Sequence, residues 1–434
     1  MRIDAESLGF LYLFAIPFIV QPFFPNYSQR SSDDEVSGYV DDRFQSVLEA
    51  FKRNFEQSDE REGAAFSVYY KGQEVVNLWG GYADRGAGRR WKEDTRTVMF
   101  SASKAIGAIV IAVMVDRGML RYEDRVVEYW PEYGRYGKNA TTVEDVLTHK
   151  AGIPYLSDPV SIEDVQDSDR IMRKVENSVP IWAPGTASGY HAVSIGFILD
   201  GLVRKVDPRG RDIRTFFKEE IADPYDLDIQ IGVDKSEVPS LTRVTTPGLW
   251  DYVRDIARDP RIIAMLAIMN IRLDSHLDNI RANTEWLQVN YDTVSLNNPD
   301  VVSLNIPSVT AVAKARDFSR LMTMILEKQL ISNETLHTIS SPTLNDWHFE
   351  KVSYYPVVKG HGFFYDKHPL IPGAYTFGHP GYGGQFVHMD PLSGVTITYL
   401  SNGLKTGTGE LCHVYMRLLK EVYKTVGSIQ NNSL

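Results

Sequence analysis

Cysteine is almost missing from this chain. Cys412 is the single one, so no disulfide can staple the fold from within and no cysteine-rich metal site can form. A basic surplus is missing too. The net charge is −10, which argues against a nucleic-acid partner, whose phosphates require a basic face. The ten histidines do not gather with carboxylates at metal-ligand spacing. There is no Gly-x-Ser-x-Gly elbow, no His-Glu-x-x-His and no phosphate loop. No metal and no cofactor is therefore expected. Internal repeats are also absent. What remains is an ordinary globular make-up, 43% hydrophobic and 24% charged over 434 residues. That length suits one large domain carrying an insertion.

The most apolar run is "LGFLYLFAIPFIVQPFF", residues 8–24. It has the length of a signal-peptide core and is short for a membrane span. Its flank "MRIDAES" offers Arg2 but also Asp4 and Glu6, and Pro17, Pro22 and Pro25 interrupt it. Asn-x-Ser/Thr triplets begin at Asn26, Asn139, Asn333 and Asn431, as a secreted glycoprotein permits. The expectation is a secreted or membrane-anchored protein, any membrane association running through residues 8–24. Residues 1–38 would be this segment plus a linker, 39–426 the folded domain and 427–434 a tail.

Within the domain, "VDDRFQSVLEAFKRNFEQ" has helical spacing, with Phe44, Val47, Leu48 and Phe51 on one face. "AAFSVYYKGQEVVNLWGGYAD" reads as a hairpin around "KGQE". A helical region is expected at about 120–340, its longest stretch being "DYVRDIARDPRIIAMLAIMNIRLDSHLDNIRANTEWL". Strands return in "GHGFFYD", "AYTFGHPGYGGQFVHMD" and "GVTITYLSN", the last two joined by "DPLSG", and a final helix "ELCHVYMRLLKEVYKTV" closes the chain. Strands at both ends with helices between predict an α/β (α+β) fold: one sheet built from both termini, flanked by helices, with an inserted helical region.

The chemistry begins at "FSASKAIGAIVIAVMV", residues 100–115. A helix with no polar face is a buried one, yet this one opens with Ser101 and Lys104. Residues three apart share a helix face, so the two side chains meet at a turn whose free amides carry partial positive charge. Serine is a poor nucleophile until a base takes its proton. Lysine can be that base when burial lowers its pKa. The same pair also fits a capping serine and a lysine reaching to solvent. Two further features stand out. In "WAPGTASGYHAVSIGFILDGLVRKV", residues 182–206, Tyr190 sits where a loop enters a helix and could relay a proton. A core tyrosine bonded to backbone fits as well. In "FGHPGYGGQF", residues 377–386, the glycines let backbone come close to something, or simply end a strand.

Taken in order, these three motifs resemble the serine beta-lactamase and penicillin-binding-protein superfamily. The resemblance spans roughly residues 40–425. "RWKEDTRTVMFSASKAIGA" is similar to the family's approach to its nucleophile, and "TTVEDVLTHKAGIP" to its "LLTHTSGLP" segment. "PYDLD" and "AKARDFSRLMTMI" match later segments. The flavour is that of class C lactamases, family VIII carboxylesterases and animal beta-lactamase-like proteins. The resemblance implies a mainly antiparallel sheet with a helical region and the site between them. Ser101 would be the acylated nucleophile, and Lys104 and Tyr190 would share the proton transfers. The backbone amides of Ser101 and Tyr382 would form the oxyanion hole. His379 would stand where the family often has the lysine of Lys-Thr-Gly, with Gly381 as the close-approach glycine and His191 beside Tyr190 among the substrate-binding residues.

The sequence departs from the lactamase pattern twice. Tyr190-His191-Ala192 replaces Tyr-x-Asn, removing the asparagine that binds a lactam amide, and His379-Pro380-Gly381 offers no fixed cation to a substrate carboxylate. Both changes favour a small-molecule ester or a peptide over a beta-lactam. A literal Lys-Thr-Gly at Lys405–Gly407 falls after the strand "GVTITYLSN", in the wrong place for the motif. The expected activity is a carboxylesterase-like serine hydrolase acting through an acyl-enzyme. The alternatives are a serine peptidase, or a catalytically weak relative with a structural or assembly role.

Overall fold

A computed structural model describes residues 36–270, 276–344, 349–353, 355 and 357–432. The apolar run 8–24 and Asn26 lie outside the described residues.

Strand Val36–Val40 (β1) leads into helix Gln45–Glu56 (α1), and Gly63–Tyr70 (β2) pairs with Gln73–Asp84 (β3). The hairpin turns on two residues, Lys71 (φ 49°) and Gly72 (φ 79°). Two positive φ values give the turn a twist that matches the strands it joins. Arg89–Arg90 (β4) pairs with the end of β3. In the C-terminal part come Val358–Gly360 (β8), Phe363–Lys367 (β9), Tyr375–Pro380 (β10), Phe386–Asp390 (β11) and Val395–Ser401 (β12). The sheet runs β1-β3-β2-β12-β11-β10-β9-β8, and the pairs along it are antiparallel. Its two halves, one from each end of the chain, join where β2 pairs with β12 from Ala64↔Ser401 to Tyr70↔Val395.

Every residue of β2 and of β12 is buried, because helices cover both faces. On one face Phe44, just before α1, and Val47 and Phe51 within it cluster with Leu418 and Val422 of the final helix His413–Asn431 (α5). On the other lie the helices Lys104–Asp116 (α2) and Ala315–Leu326 (α4), with Ser194–Val206 (α3) behind α2. Residues from Lys104 to Met114 are buried without a break, as the missing polar face of α2 predicts. Each buried large aliphatic or aromatic side chain contributes about 1.5–3 kcal/mol.

Five expectations need correction. The stretch 360–366 is not one strand, since His361 (φ 51°) and Gly362 (φ 84°) turn the chain between β8 and β9. The stretch 374–390 is a hairpin, broken at Gly381–Gln385 where Gly383 (φ 73°) and Gly384 (φ 100°) reverse it. The long helical stretch splits into Leu249–Arg258, Arg261–Asn270 and His276–Asn283. Pro260 ends the first by forcing Asp259 to an extended conformation (φ −140°, ψ 98°). The region 120–340 also holds two short strands. Ile229–Ile231 (β6) and Ala311–Ala313 (β7) form a small sheet with Thr97–Val98 (β5), in the order β5-β7-β6. Strands of two or three residues are too short to show alternation. The ordered body also extends past 39–426 at both ends, because β1 starts at Val36 and α5 runs to Asn431. Among the described residues no helix is long and apolar enough to cross a membrane.

Candidate active site

Strand β5 delivers the chain to a tight turn, Phe100–Ser103, that opens α2. The turn is 3₁₀ rather than α, and in that geometry residues i and i+3 eclipse. Ser101 and Lys104 are therefore brought together more directly than an α-helix would bring them. Lys104 Nζ lies 3.2 Å from Ser101 Oγ and donates to Ser308 O at 3.0 Å. Lys104 is 5% exposed, whereas Ser101 keeps partial access. Phe100, just before the serine, sits at φ 51°, a left-handed conformation costing about 1–3 kcal/mol in a non-glycine residue. Met99 N bonds to Ala311 O at 2.8 Å, and Ala311 N to Ser103 Oγ at 3.2 Å, so β7 pins the strained turn from one side.

Gly381 pins it from the other. A Cβ there would fall 2.6 Å from Met99 O and 3.2 Å from the Ala102 amide nitrogen. The backbone at Gly381 thus packs directly against the turn that holds Ser101. Tyr382 follows in a second 3₁₀ turn, Tyr382–Gly384, with its ring 6.0 Å from that of Phe100 and 45% exposed. Among the described residues, neither the Ser101 nor the Tyr382 amide donates to a group outside its own turn.

Tyr190 lies opposite, half-buried, its ring 5.0 Å from Lys104 Nζ. Burial drives the two groups' pKa values in opposite directions. It lowers Lys104 to about 7, making a neutral amine available near neutrality. It pushes the Tyr190 phenol up, only partly offset by a hydrogen bond with the Ser101 hydroxyl. Near neutrality the amine can therefore lose its proton while the phenol keeps its own.

His379 is where the motif places it, on β10 and 1% exposed, its ring 6.5 Å from that of Tyr190. Burial first, then the Lys104 charge, lowers its pKa to about 3. Its Nδ1 bonds to Pro380 O at 2.6 Å, so the neutral ring carries its proton there. It supplies no cation. His191 needs correction. It is completely buried, and both ring nitrogens serve backbone: Nδ1 donates to Gly189 O at 2.6 Å and Nε2 accepts from Ile153 N at 3.1 Å. It ties loop to loop and has no atom left for substrate. Lys405 of the misplaced Lys-Thr-Gly is held away from the site by Glu60 and the Ser401 hydroxyl.

Three groups beside the site were not among the candidates, although His149 lies inside the quoted segment "TTVEDVLTHKAGIP". Ser308 fixes Lys104 through its carbonyl while its hydroxyl donates to Val193 O at 2.8 Å. Lys359 and Glu350 form a buried pair at 3.3 Å, and the lysine also donates to Ser188 Oγ at 2.9 Å. The His149 ring lies 4.9 Å from that of Tyr190, tilted at 59° to it. All come from distant parts of the chain. Among the described residues no cluster could hold a metal ion.

This geometry has counterparts in known proteins. The beta-lactamase family model matches residues 51–420. An esterase/beta-lactamase, LipL, of Mycobacterium tuberculosis is 31% identical over 388 residues, covering 85% of this chain and 83% of that protein. Among solved structures, a family VIII carboxylesterase superposes with a TM-score of 0.77 at 27% identity, covering 90% of this chain and 100% of its own. A penicillin-binding protein homologue from Caulobacter crescentus does so with a TM-score of 0.75 at 29% identity and the same coverage. With the motifs, the antiparallel sheet and the Ser101–Lys104 contact already in hand, these matches establish that the chain belongs to the beta-lactamase family and is a serine hydrolase of that type.

Proposed function

We propose that the protein is a carboxylesterase working through a Ser101 acyl-enzyme. Neutral Lys104 takes the Ser101 proton as Oγ attacks the ester carbonyl. The Ser101 and Tyr382 amides hold the resulting oxyanion. Tyr190 passes a proton to the departing alkoxide and recovers one from Lys104. The acylated serine is then attacked by water, whose proton returns along the same path as the carboxylic acid leaves. The observation carrying this reading is the 3.2 Å separation of Lys104 Nζ and Ser101 Oγ, with burial holding the lysine near pKa 7.

Substrate class follows from what faces the nucleophile. Neutral His379 offers no charge to a carboxylate, and Ala192 offers no polar group to an amide. The half-exposed Tyr382, beside Phe100, presents aromatic surface, suited to an apolar acyl or alcohol group. A beta-lactam carries both polar groups this site leaves unpaired, each lost contact costing about 1–3 kcal/mol, roughly ten- to a hundredfold in rate. A short-chain p-nitrophenyl ester carries neither. Assayed on one preparation with Ser101→Ala as blank, the ester should be hydrolysed and nitrocefin scarcely or not at all. Equal turnover of the two would overturn the esterase assignment.

Residues 8–24 are proposed as a secretory or membrane-anchoring segment. Their deletion should shift the protein from the membrane or secreted fraction to the cytosol, and an unchanged distribution would contradict this.

A further inference from the structure

The segment around 148–153 is laced to the one that carries Tyr190. Ser188 Oγ donates to Thr148 O at 2.9 Å, Gly185 N to Lys150 O at 3.0 Å and Ile181 N to Gly152 O at 2.8 Å. One residue receives both bonds that immediately flank the tyrosine. His149 O accepts from Gly189 N at 3.0 Å, and His149 Nδ1 accepts from His191 N at 3.1 Å. To offer carbonyl and ring to the same short stretch, His149 sits at φ 61°, in the left-handed region that few side chains adopt. The ring itself is buried, 4.9 Å from Tyr190 and 6.1 Å from Phe364.

We propose that His149 is the positioning residue for Tyr190, clamping the amides on either side of it so that the phenol stays beside Ser101 and Lys104. This rests on the proton-carrying role given to Tyr190 above. The clamp needs Nδ1 without a proton. Burial first, then Lys359, His191, Lys104 and His379 around the ring, disfavour protonation, so it stays closed across the working pH range.

The test compares His149→Gly with His149→Asn. Glycine keeps the left-handed backbone and the carbonyl acceptor but removes the ring acceptor. Asparagine tolerates the same backbone, and its Oδ1 lies one bond beyond Cγ, as Nδ1 does. On a p-nitrophenyl ester, His149→Gly should lower kcat about tenfold or more with KM within about threefold. His149→Asn should restore kcat to within about threefold of wild type. In a Tyr190→Phe background, which should itself be strongly impaired, His149→Gly should cost less than about threefold more, since its effect runs through the missing phenol. Asparagine as damaging as glycine, or full additivity in the double variant, would overturn the clamp alone. A Tyr190→Phe enzyme with wild-type kcat would instead overturn the role of Tyr190, and the clamp with it. If His149→Gly does not fold, His149→Asn decides: a tenfold loss of kcat in that folded variant overturns the clamp.

Discussion

The amine of Lys104 lies 5.0 Å from the centre of the Tyr190 ring and 3.2 Å from the Ser101 hydroxyl. Burial separates the two titrations: the lysine falls to about 7 while the phenol rises. The base is active when neutral, so kcat/KM should be low below pH 7 and climb along a limb with its midpoint near 7. Tyr190→Phe should lower kcat by about two orders of magnitude yet leave that midpoint in place. A pH–rate profile of both proteins checks this. A limb that begins only above pH 9 would point to a phenolate base.

Gly381 predicts a second outcome. A methyl group there would press on Met99 O and the Ala102 amide nitrogen, backbone atoms of the nucleophile turn. Gly381→Ala should cost about 1–3 kcal/mol of stability through overpacking. It should also lower kcat at least about tenfold, because displacing the turn misplaces the reacting oxygen. Denaturant midpoints and steady-state kinetics check both parts. Wild-type kcat would show that the contact does not hold Ser101.

The Lys359–Glu350 pair carries a third. Both side chains are almost fully buried, and Glu350 Oε2 also accepts from Val352 N at 2.8 Å and Ser353 Oγ at 2.9 Å. Glu350→Gln leaves the lysine buried without its counter-charge, a loss of about 3–5 kcal/mol. Adding Lys359→Met should recover much of it. Urea unfolding measures the single and double variants. Equal stability in the single variant and wild type would mean the pair is not load-sharing.

The legible parts of this molecule were those set by short spacings. Ser101 and Lys104 are three residues apart, and the glycines after His379 sit together, so spacing marks them out, while the resemblance to the family supplies their expected roles. The hairpin at Lys71–Gly72 and the pairing of both chain ends were readable for the same reason, through alternation and turn residues. His191 was misread as a substrate contact because it adjoins Tyr190. Its ring turns instead to Gly189 O and Ile153 N. Ser308 and the Lys359–Glu350 pair are illegible, since tertiary folding brings them to the site from segments with no shared pattern, whereas His149 lies in the family-like segment "TTVEDVLTHKAGIP" and only its place beside Tyr190 comes from folding. The helical stretch 251–287 failed at Pro260, where the proline's effect on Asp259 outweighed the helical spacing.

Ser101 is expected to be the residue that becomes acylated, and intact-mass analysis after treatment with a fluorophosphonate probe reads this without an assumed substrate. One adduct should form on the wild type, more slowly on Lys104→Ala, and none on Ser101→Ala. An adduct that persists in Ser101→Ala at the wild-type rate would contradict the account.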